Sequence, residues 1–332
     1  IELALNFGEE YLTIMMIGLI PFAITQAYIS SIRETGHTFV PMLAGIAAML
    51  TNLVLDIILI FGVGEIPALG VEGAAIATVV ARFVEFGIVI IWTHTHSNKN
   101  KYIIAAYRSP KIPGGILKDI LLTGTPLMVN EMLWASGMAV IAQCYAVRGL
   151  EVVAAQNISS TITNLFNVVY IQLGSCIAIV VGQHLGAGRI QKAKDVARKM
   201  IFFSVICCML VAAVMVFVGG FFPDIYETEE SIKELARTFI AISAFAMPVC
   251  AFCHCCYFTL RSGGKTIITF LFDSVYTWAL VIPFATFLAK YTGLGIALVF
   301  LLVQCMEIIK AIIGFFMVRS GIWLQNIVEK EV

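Results

Sequence analysis

The sequence predicts an all-α integral membrane protein with nine transmembrane helices, and three observations carry this prediction. The composition is the first, since 60% of the 332 residues are hydrophobic and 13% are charged, against about 45–50% and about 25% in an average soluble domain. The second is a series of separate apolar runs of membrane-spanning length. The third is an unequal distribution of basic residues between alternate connections. A soluble fold of this length could not bury so much apolar surface.

Each apolar run reaches the roughly 20 residues that a helix needs to cross the hydrocarbon. The runs lie at about 11–31, 40–62, 72–93, 117–147, 152–185, 199–222, 234–260, 266–289 and 294–318. The fourth and fifth exceed the required length, so we expect them to tilt, bend or project from the bilayer. Runs this long and uniformly apolar indicate helices rather than strands of a membrane barrel.

Basic residues mark one side of the membrane. One set of alternate connections, with the C-terminal tail, contains Arg33, Lys99, Lys101, Arg108, Lys111, Lys118, Arg189, Lys192, Lys194, Arg198, Lys199, Arg261, Lys265, Arg319 and Lys330. The other set contains Arg148, Lys233, Arg237 and Lys290. Because cytoplasmic loops are enriched in Lys and Arg, the first set is predicted to be cytoplasmic. We therefore expect a multi-pass cell-membrane protein, embedded in the lipid bilayer, with its C-terminus in the cytoplasm and Ile1 outside.

A short motif recurs at two predicted cytoplasmic turns. Residues 33–38 (Arg-Glu-Thr-Gly-His-Thr) and 261–266 (Arg-Ser-Gly-Gly-Lys-Thr) share Arg-x-x-Gly-x-Thr, and further along Glu85 matches Glu307. Spans one to three are therefore interpreted as a copy of spans seven to nine. Both copies run in the same direction across the membrane, and parallel repeats are a feature of transporter architectures.

The repeat predicts the domain organisation. Residues 1–93 are the second half of an N-terminal lobe, with three helices, and 94–116 form a cytoplasmic linker between lobes. Residues 117–320 form a C-terminal lobe of six helices, followed by a cytoplasmic tail at 321–332. We expect three further helices before Ile1, which would complete a 6+6 parallel two-lobe bundle.

Composition and motifs argue against several other functions. The net charge is zero, with 21 basic and 21 acidic residues, so no nucleic-acid partner is expected. The sequence has no phosphate-binding Gly-x-x-x-x-Gly-Lys-Ser/Thr loop, so an ion gradient or a partner would have to drive any transport. The nine cysteines lie in apolar stretches and are predicted to be small packing residues, including the run 253–256 (Cys-His-Cys-Cys). We therefore expect neither a metal site nor a cofactor.

Seven ionisable residues other than histidine lie in the interior of the predicted spans, away from the span ends. Each costs roughly 2.5–3.5 kcal/mol of insertion free energy near the membrane centre. They are Asp56, Arg82, Glu85, Glu131, Asp273, Glu307 and Lys310. Two pairs are three residues apart on one helix and are predicted to neutralise each other locally: Arg82 with Glu85, and Glu307 with Lys310. The remaining three acids have no such neighbour in the sequence.

Asp56 is the first of these three acids. It follows Asn52 by four residues, which places an amide and a carboxylate on one face of the second span. Such a pair can hold a small cation or share a proton. The alternative is an aspartate that is hydrogen-bonded to a neighbouring helix.

Glu131 and Trp134 share a face of the fourth span, beyond Pro126, which bends the helix. An acid beside a large aromatic ring suits organic cations, although a buried, hydrogen-bonded acid is the alternative. Asp273 in the eighth span is a further candidate. Polar side chains along the fifth span, Asn157 among them, are interpreted either as a wet cavity wall or as interhelical hydrogen bonds.

In this order and on these spans, the residues resemble the multidrug and toxic compound extrusion (MATE) family over nearly the whole chain. The similarity rests on Asn52 with Leu55-Asp56, on 70–78 (Gly-Val-Glu-Gly-Ala-Ala-Ile-Ala-Thr), on Asn130-Glu131-x-x-Trp134, on 181–188 (Val-Gly-Gln-His-Leu-Gly-Ala-Gly) and on the doubled turn motif. The resemblance implies two six-helix lobes that export cationic compounds against inward-moving sodium ions or protons. It also implies that Asn52, Asp56 and Thr78 form a coupling site for H⁺ or Na⁺.

The expected function is that of a cation-coupled antiporter, not an enzyme, which exports small organic cations by alternating access between two helical lobes. Asn130, Glu131, Trp134, Asn157 and Asp273 are the expected substrate-binding residues, and the protein is expected to be a monomer. One alternative is a flippase for lipid-linked oligosaccharides, which shares the helical plan. Alternatives from other classes are an intramembrane enzyme and a membrane scaffold that transports nothing.

Overall fold

The computed structural model describes residues 2–64, 66–104 and 114–324, and this part of the chain is helical, with turns between the helices and no strands. Nine long helices follow one another in it: α1 Glu2–Glu34, α2 Phe39–Phe61, α3 Gly70–Thr95, α4 Gly114–Ala146, α5 Leu150–Gly186, α6 Ile190–Gly219, α7 Glu230–Ser262, α8 Thr266–Tyr291 and α9 Ile296–Ser320. Short 3₁₀ turns occupy Lys101–Ile103 and Phe222–Ile225. The predicted all-α membrane architecture is confirmed.

Each long helix coincides with one predicted span, and eight of them are long and apolar enough to cross a membrane. The helix outside this group is α4, whose middle carries Asn130 and Glu131 among its apolar residues. The most apolar windows of the eight helices are only 11% to 44% buried within the protein. Apolar surface on this scale marks contact with lipid rather than with water.

The start of α6 differs clearly from its predicted boundary. This helix begins at Ile190 rather than near residue 199, so the polar stretch predicted as a loop is helical. Lys194, Ala197 and Arg198 in that stretch are good helix formers, and they continue the helix beyond its apolar part. Hydropathy detects only the portion of a helix that lies in the hydrocarbon.

The chain divides into two compact units, Ile1–Ile112 and Pro113–Val332, called here the first and second units. In the first unit α3 packs against both α1 and α2, around a small core of Ile29, Ile32, Ala44 and Val89. In the second unit α7 packs against α5, α6 and α9, and α4 packs against α8. The division between the units falls within the predicted linker 94–116. Residues 105–113 of this linker and residues 325–332 of the predicted tail lie outside the described residues.

The repeated motif forms the same kind of turn in both units. Gly36 ends the turn between α1 and α2 with φ +86°, and Gly264 ends the turn between α7 and α8 with φ +70°. Residues with a Cβ rarely adopt such left-handed conformations, which explains why both copies have glycine at this position. In both units the helices that flank the repeat also pack alike, α1 on α3 and α7 on α9.

The middle of α8 departs from regular α-helix. Residues Leu271–Val275 and Thr277–Val281 form π-helical turns ahead of Pro283. Proline lacks the N–H that would close a regular turn, and its ring crowds the carbonyl group four residues earlier, so the backbone before it widens. These wide turns carry Asp273 and its polar neighbours.

Candidate functional site

The predicted coupling residues of the first unit lie on α2 and α3. Asn52 on α2 donates a hydrogen bond from Nδ2 to Thr78 Oγ1 on α3 at 3.4 Å, and Thr78 in turn donates to the carbonyl oxygen of Ala74 at 3.0 Å. Asp56 lies one turn along α2 from Asn52. Its Oδ1 atom is buried and has no hydrogen-bond partner among the described residues.

The other two ionisable residues inside the predicted spans of the first unit, Arg82 and Glu85, form an ion pair. Arg82 Nη1 lies 3.2 Å from Glu85 Oε2, and the side chain of Glu85 is 9% exposed. The guanidinium group of Arg82 also lies over the ring of Phe22, 4.6 Å from the ring centre. The predicted local pair is therefore confirmed, whereas no hydrogen-bond partner reaches the buried Oδ1 of Asp56 among the described residues.

Asn130 on α4 is the centre of a buried polar network in the second unit. Its side chain is almost fully buried, and Nδ2 donates to Tyr257 Oη and to Asp273 Oδ2, each at 3.2 Å. The hydroxyl group of Ser274 donates to Asn130 Oδ1 at 2.6 Å. One carboxamide thus ties together α4, α7 and α8, and all its strong hydrogen-bonding groups are satisfied.

Asp273 is paired with Lys310 across two helices. Lys310 Nζ on α9 lies 2.7 Å from Asp273 Oδ1 on α8, and the two side chains are 8% and 14% exposed. The close ion pair of Lys310 is thus with Asp273 and not with Glu307, although the negative charge of Glu307 also acts on Lys310. Tertiary packing brings a carboxylate from another helix closer to the ammonium group than the acid one turn away on α9.

Glu131 has a more open environment. Its carboxylate accepts a hydrogen bond from Tyr257 Oη at 3.3 Å and lies 3.7 Å from Arg261 Nη1. Its side chain is 60% exposed and that of Arg261 is 36% exposed, so this ion pair is loose and hydrated. Arg261 belongs to the second copy of the turn motif, which links that motif to the candidate site.

Two cavities in the second unit adjoin this network. One of about 200 Å³ is lined by Glu131, Trp134, Tyr257, Asp273 and Lys310, among others. The other, of about 240 Å³, extends along α5 and α9, and Trp134 lines both. Trp134, at 38% exposed, leaves part of its ring free for contact with a ligand.

The structure brings together four of the five predicted substrate-binding residues: Asn130, Glu131, Trp134 and Asp273. It does not bring Asn157 to them, because that side chain is exposed on α5 while other amides of α5 line the larger cavity. Sequence reasoning missed Tyr257 and Ser274, which hold the network together. The Asp273–Lys310 pair was also missed, although the sequence offered a signal for it: the two residues have opposite charges and lie in neighbouring predicted spans.

The cysteine-rich stretch of α7 is part of the packing of the second unit. Cys253, Cys255 and Cys256 are buried, and the last two belong to an apolar cluster with Leu260 and Phe272. Within the described residues there is no group of three or more His, Cys, Asp or Glu side chains arranged to hold a metal ion.

The comparison with protein families agrees with the resemblance seen in the sequence. The MatE family model matches residues 126–287 of the chain.

Individual relatives have low sequence identity to the chain, but the alignments cover most of it. The chain is 24% identical over 291 residues to the probable multidrug resistance protein NorM of Thermotoga maritima. The aligned region covers 87% of this chain and 61% of that protein. It is 22% identical to the probable multidrug resistance protein YoeA of Bacillus subtilis, over 89% of this chain and 64% of that protein. The chain therefore spans less than two thirds of the length of these relatives.

Solved structures show the same fold. A structure of MATE in complex with MaL6 superposes with a TM-score of 0.83 at 21% identity, over 94% of this chain and 69% of that one. A MOP superfamily transporter from Pyrococcus furiosus superposes with a TM-score of 0.84 at 22% identity, over 94% of this chain and 68% of that one.

Proposed function

We propose that the protein is a cation-coupled antiporter that exports small organic cations, with H⁺ or Na⁺ as the coupling ion. The observation that carries the proposal is Asp56, whose Oδ1 is buried in the first unit without a hydrogen-bond partner among the described residues. A buried carboxylate without a partner is costly. Protonation or a bound cation removes that cost, so Asp56 has a reason to take up either one.

Asn52, one turn before Asp56 on α2, and its hydrogen-bond partner Thr78 on α3 are the proposed further oxygen ligands. The amide oxygen of Asn52 is free to accept while its nitrogen donates to Thr78. Carboxylate, amide and hydroxyl oxygens suit a hard monovalent cation, and a carboxylate alone suits a proton. An ion bound at this site would shift the transporter towards the conformational state that binds the ion more tightly. The ratio of the ion's affinities for the two states limits the size of that shift.

Glu131 and Trp134 supply the proposed substrate contacts. The carboxylate of Glu131 is largely exposed and its ion pair with Arg261 is loose, so an incoming cation can compete for it. The ring of Trp134 lines the same cavity and can hold a cationic group by cation–π attraction.

The test replaces Asp56 by Asn in the full-length protein, reconstituted in liposomes with an imposed proton or sodium gradient. Asp56→Asn keeps the size of the side chain but removes the titratable group, so we expect gradient-driven efflux of an ethidium probe to fall at least about tenfold. The matched control is Asp195→Asn, since Asp195 is an acid with a half-exposed side chain and should leave efflux unchanged. Wild-type efflux by Asp56→Asn would contradict the proposed role.

The same liposomes separate the competing functions. Proton or sodium counterflow that the substrate stimulates supports an antiporter and names the ion. Movement of a lipid-linked sugar without ion flux would support the flippase alternative, which needs free basic side chains for a pyrophosphate. The pairing of Lys310 with Asp273 at 2.7 Å argues against that alternative. Substrate turnover would indicate an enzyme, and inactivity in every assay would indicate a scaffold.

A further inference from the structure

The second unit contains a further cavity, of about 500 Å³, at the end of its helices that is predicted to be cytoplasmic. The first turns of α6 and the last turns of α9 form two sides of it, and both helices pack on α7. Phe252 of α7 and Trp323, which follows the end of α9, complete the wall. The cavity shares no lining residue with the two cavities beside Asn130, so it is separate from the candidate functional site.

Basic side chains give this cavity a positive wall. Lys194 and Arg198 lie one turn apart on α6, Arg319 lies in the last turn of α9, and all three are exposed. Among the described residues of the wall there is one acid, Asp195, whose Oδ1 lies 3.8 Å from Arg198 Nη2. The two side chains are 49% and 79% exposed, so this pair is loose and hydrated. One acid cannot neutralise three bases, and the wall therefore has a net positive charge.

The rest of the wall is largely apolar and aromatic. On α6, Ile201 follows Lys194 by seven positions and thus lies on the same helix face. On α9, Phe315 precedes Arg319 by one turn, and Arg319 Cζ lies 5.9 Å from the centre of its ring. Phe315 is 47% exposed. Each helix thus places a basic residue near its end and an apolar residue one or two turns deeper.

We propose that this cavity binds an anionic phospholipid of the surrounding leaflet. Its phosphate group contacts Lys194 and Arg319, and its acyl chains lie along Ile201 and Phe315. Basic pockets between transmembrane helices on the cytoplasmic side suit anionic head groups, and the apolar residues beneath suit the chains. The cavity is smaller than a whole phospholipid, so the remainder of the lipid lies in the bilayer.

The pattern of charge and apolar surface favours this ligand over simpler ones. A soluble phosphate ester would leave the apolar wall in water, and a lipid without net charge would leave the positive charge of the wall uncompensated. The lipid in this proposal is a bound component of the protein and not a transported compound. The inference goes beyond the proposed export of organic cations and does not depend on it.

The test measures equilibrium binding of dioleoyl phosphatidylglycerol to the purified full-length protein in a neutral detergent by native mass spectrometry. Dioleoyl phosphatidylcholine has the same acyl chains but no net charge, and it should bind more weakly. Lys194→Gln combined with Arg319→Gln should weaken phosphatidylglycerol binding about 10- to 100-fold, because two charge-assisted contacts with the phosphate are lost. The preference for phosphatidylglycerol over phosphatidylcholine should then disappear.

A matched control separates this site from a general attraction between lipid and basic residues. Lys192→Gln combined with Lys199→Gln removes the same charge from exposed positions of α6 that do not line the cavity, and the preference should remain. Lys194→Arg combined with Arg319→Lys keeps both charges and should also retain it.

Two further measurements distinguish other occupants. Glycerophosphoglycerol, the head group without acyl chains, should bind far more weakly than the lipid, and equal affinity would assign the cavity to a soluble phosphate ester instead. Glu329→Gln combined with Glu331→Gln removes the acids of the predicted tail and should leave phosphatidylglycerol binding unchanged. A marked gain in affinity in that variant would assign the basic residues to the tail and overturn the proposal.

Three results on the lipid itself would also overturn it. These are equal affinity of the wild-type protein for the two lipids, a preference that survives Lys194→Gln with Arg319→Gln, and an equal loss in the control variant. Binding in detergent needs no ion gradient, so these results are independent of the outcome of the efflux assay.

Discussion

Lys310 is a buried charge of the second unit that is held in an ion pair. Lys310 and Asp273 are 8% and 14% exposed and their charged atoms lie 2.7 Å apart. Removing two charges from water costs several kcal/mol per ion, and the attraction between them offsets this only with good geometry and further hydrogen bonds. Asn130 supplies such a bond to the second oxygen of Asp273, so the pair and the network stabilise each other.

Breaking this pair from one side should therefore destabilise the protein strongly. Lys310→Met leaves Asp273 buried and uncompensated, and we expect a loss of about 3–5 kcal/mol in unfolding free energy. The double variant Lys310→Met with Asp273→Leu removes both charges and should lose less than the single variant. Titration of the purified protein with SDS in mixed micelles measures both. A double variant that is less stable than the single one would show that the pair does not behave as a unit.

The Asn130 network also shows what sequence spacing can predict about a site. Asn130, Glu131 and Trp134 lie within two turns of one helix, so their proximity follows from helical periodicity alone. Tyr257 reaches them from α7 across 126 and 127 positions of sequence, and no periodicity in one helix predicts such a contact. For the same reason a local rule assigned Lys310 to Glu307, whereas packing of α8 against α9 assigns it to Asp273.

At the scale of elements, the glycine of the repeated turn has a defined role. Gly36 has φ +86°, and a Cβ at this position would meet no atom within 4 Å. The cost of a side chain there is thus conformational and not steric. Glycine is needed because the chain must reverse between α1 and α2 in a conformation that other residues adopt only at a cost.

Gly36→Ala should accordingly lower the unfolding free energy by about 1–2 kcal/mol, the cost of a left-handed conformation with a Cβ. Gly87→Ala is the matched control, because Gly87 lies inside α3 and a Cβ there also meets no atom within 4 Å. The same substitution within a helix should stabilise by up to about 1 kcal/mol. The two variants should shift the thermal midpoint in opposite directions, and shifts of the same sign would contradict this account of the turn.

Hydropathy predicts where the helices lie but not where each of them begins and ends. The start of α2 at Phe39 agrees closely with the sequence prediction, since the turn motif with Gly36 precedes it. The start of α6 at Ile190 does not, because the polar residues before its apolar part are themselves good helix formers. The π-helical turns of α8 were also not predicted, although Pro283 in that span is their physical cause.

At the scale of the whole molecule, two of the four basic residues of the predicted outer side, Arg148 and Arg237, have structural contacts. Arg148, after α4, donates to the carbonyl oxygens of Leu288 at 3.1 Å and Thr292 at 2.5 Å, where α8 ends. The carbonyl of Leu288, in the last turn of α8, also accepts from Thr292 Oγ1 at 2.6 Å, and the cation caps this end of the helix. Arg237 pairs with Asp224 and, at 2.8 Å, with Glu230 near the start of α7. Folding thus accounts for these two basic residues, and the larger number of basic residues in the opposite connections is what predicts the orientation.

The predicted orientation is open to direct measurement through two cysteine substitutions. Glu227→Cys lies in the acidic connection between α6 and α7, and Lys192→Cys lies near the start of α6. By the positive-inside rule a membrane-impermeant maleimide should label Glu227→Cys in intact cells and Lys192→Cys only after permeabilisation. The unsubstituted protein is the control, because Cys176 and Cys305 are exposed. The reverse pattern would invert the topology and place the C-terminus outside, because α6 to α9 cross the membrane as a continuous series and one inverted connection inverts them all.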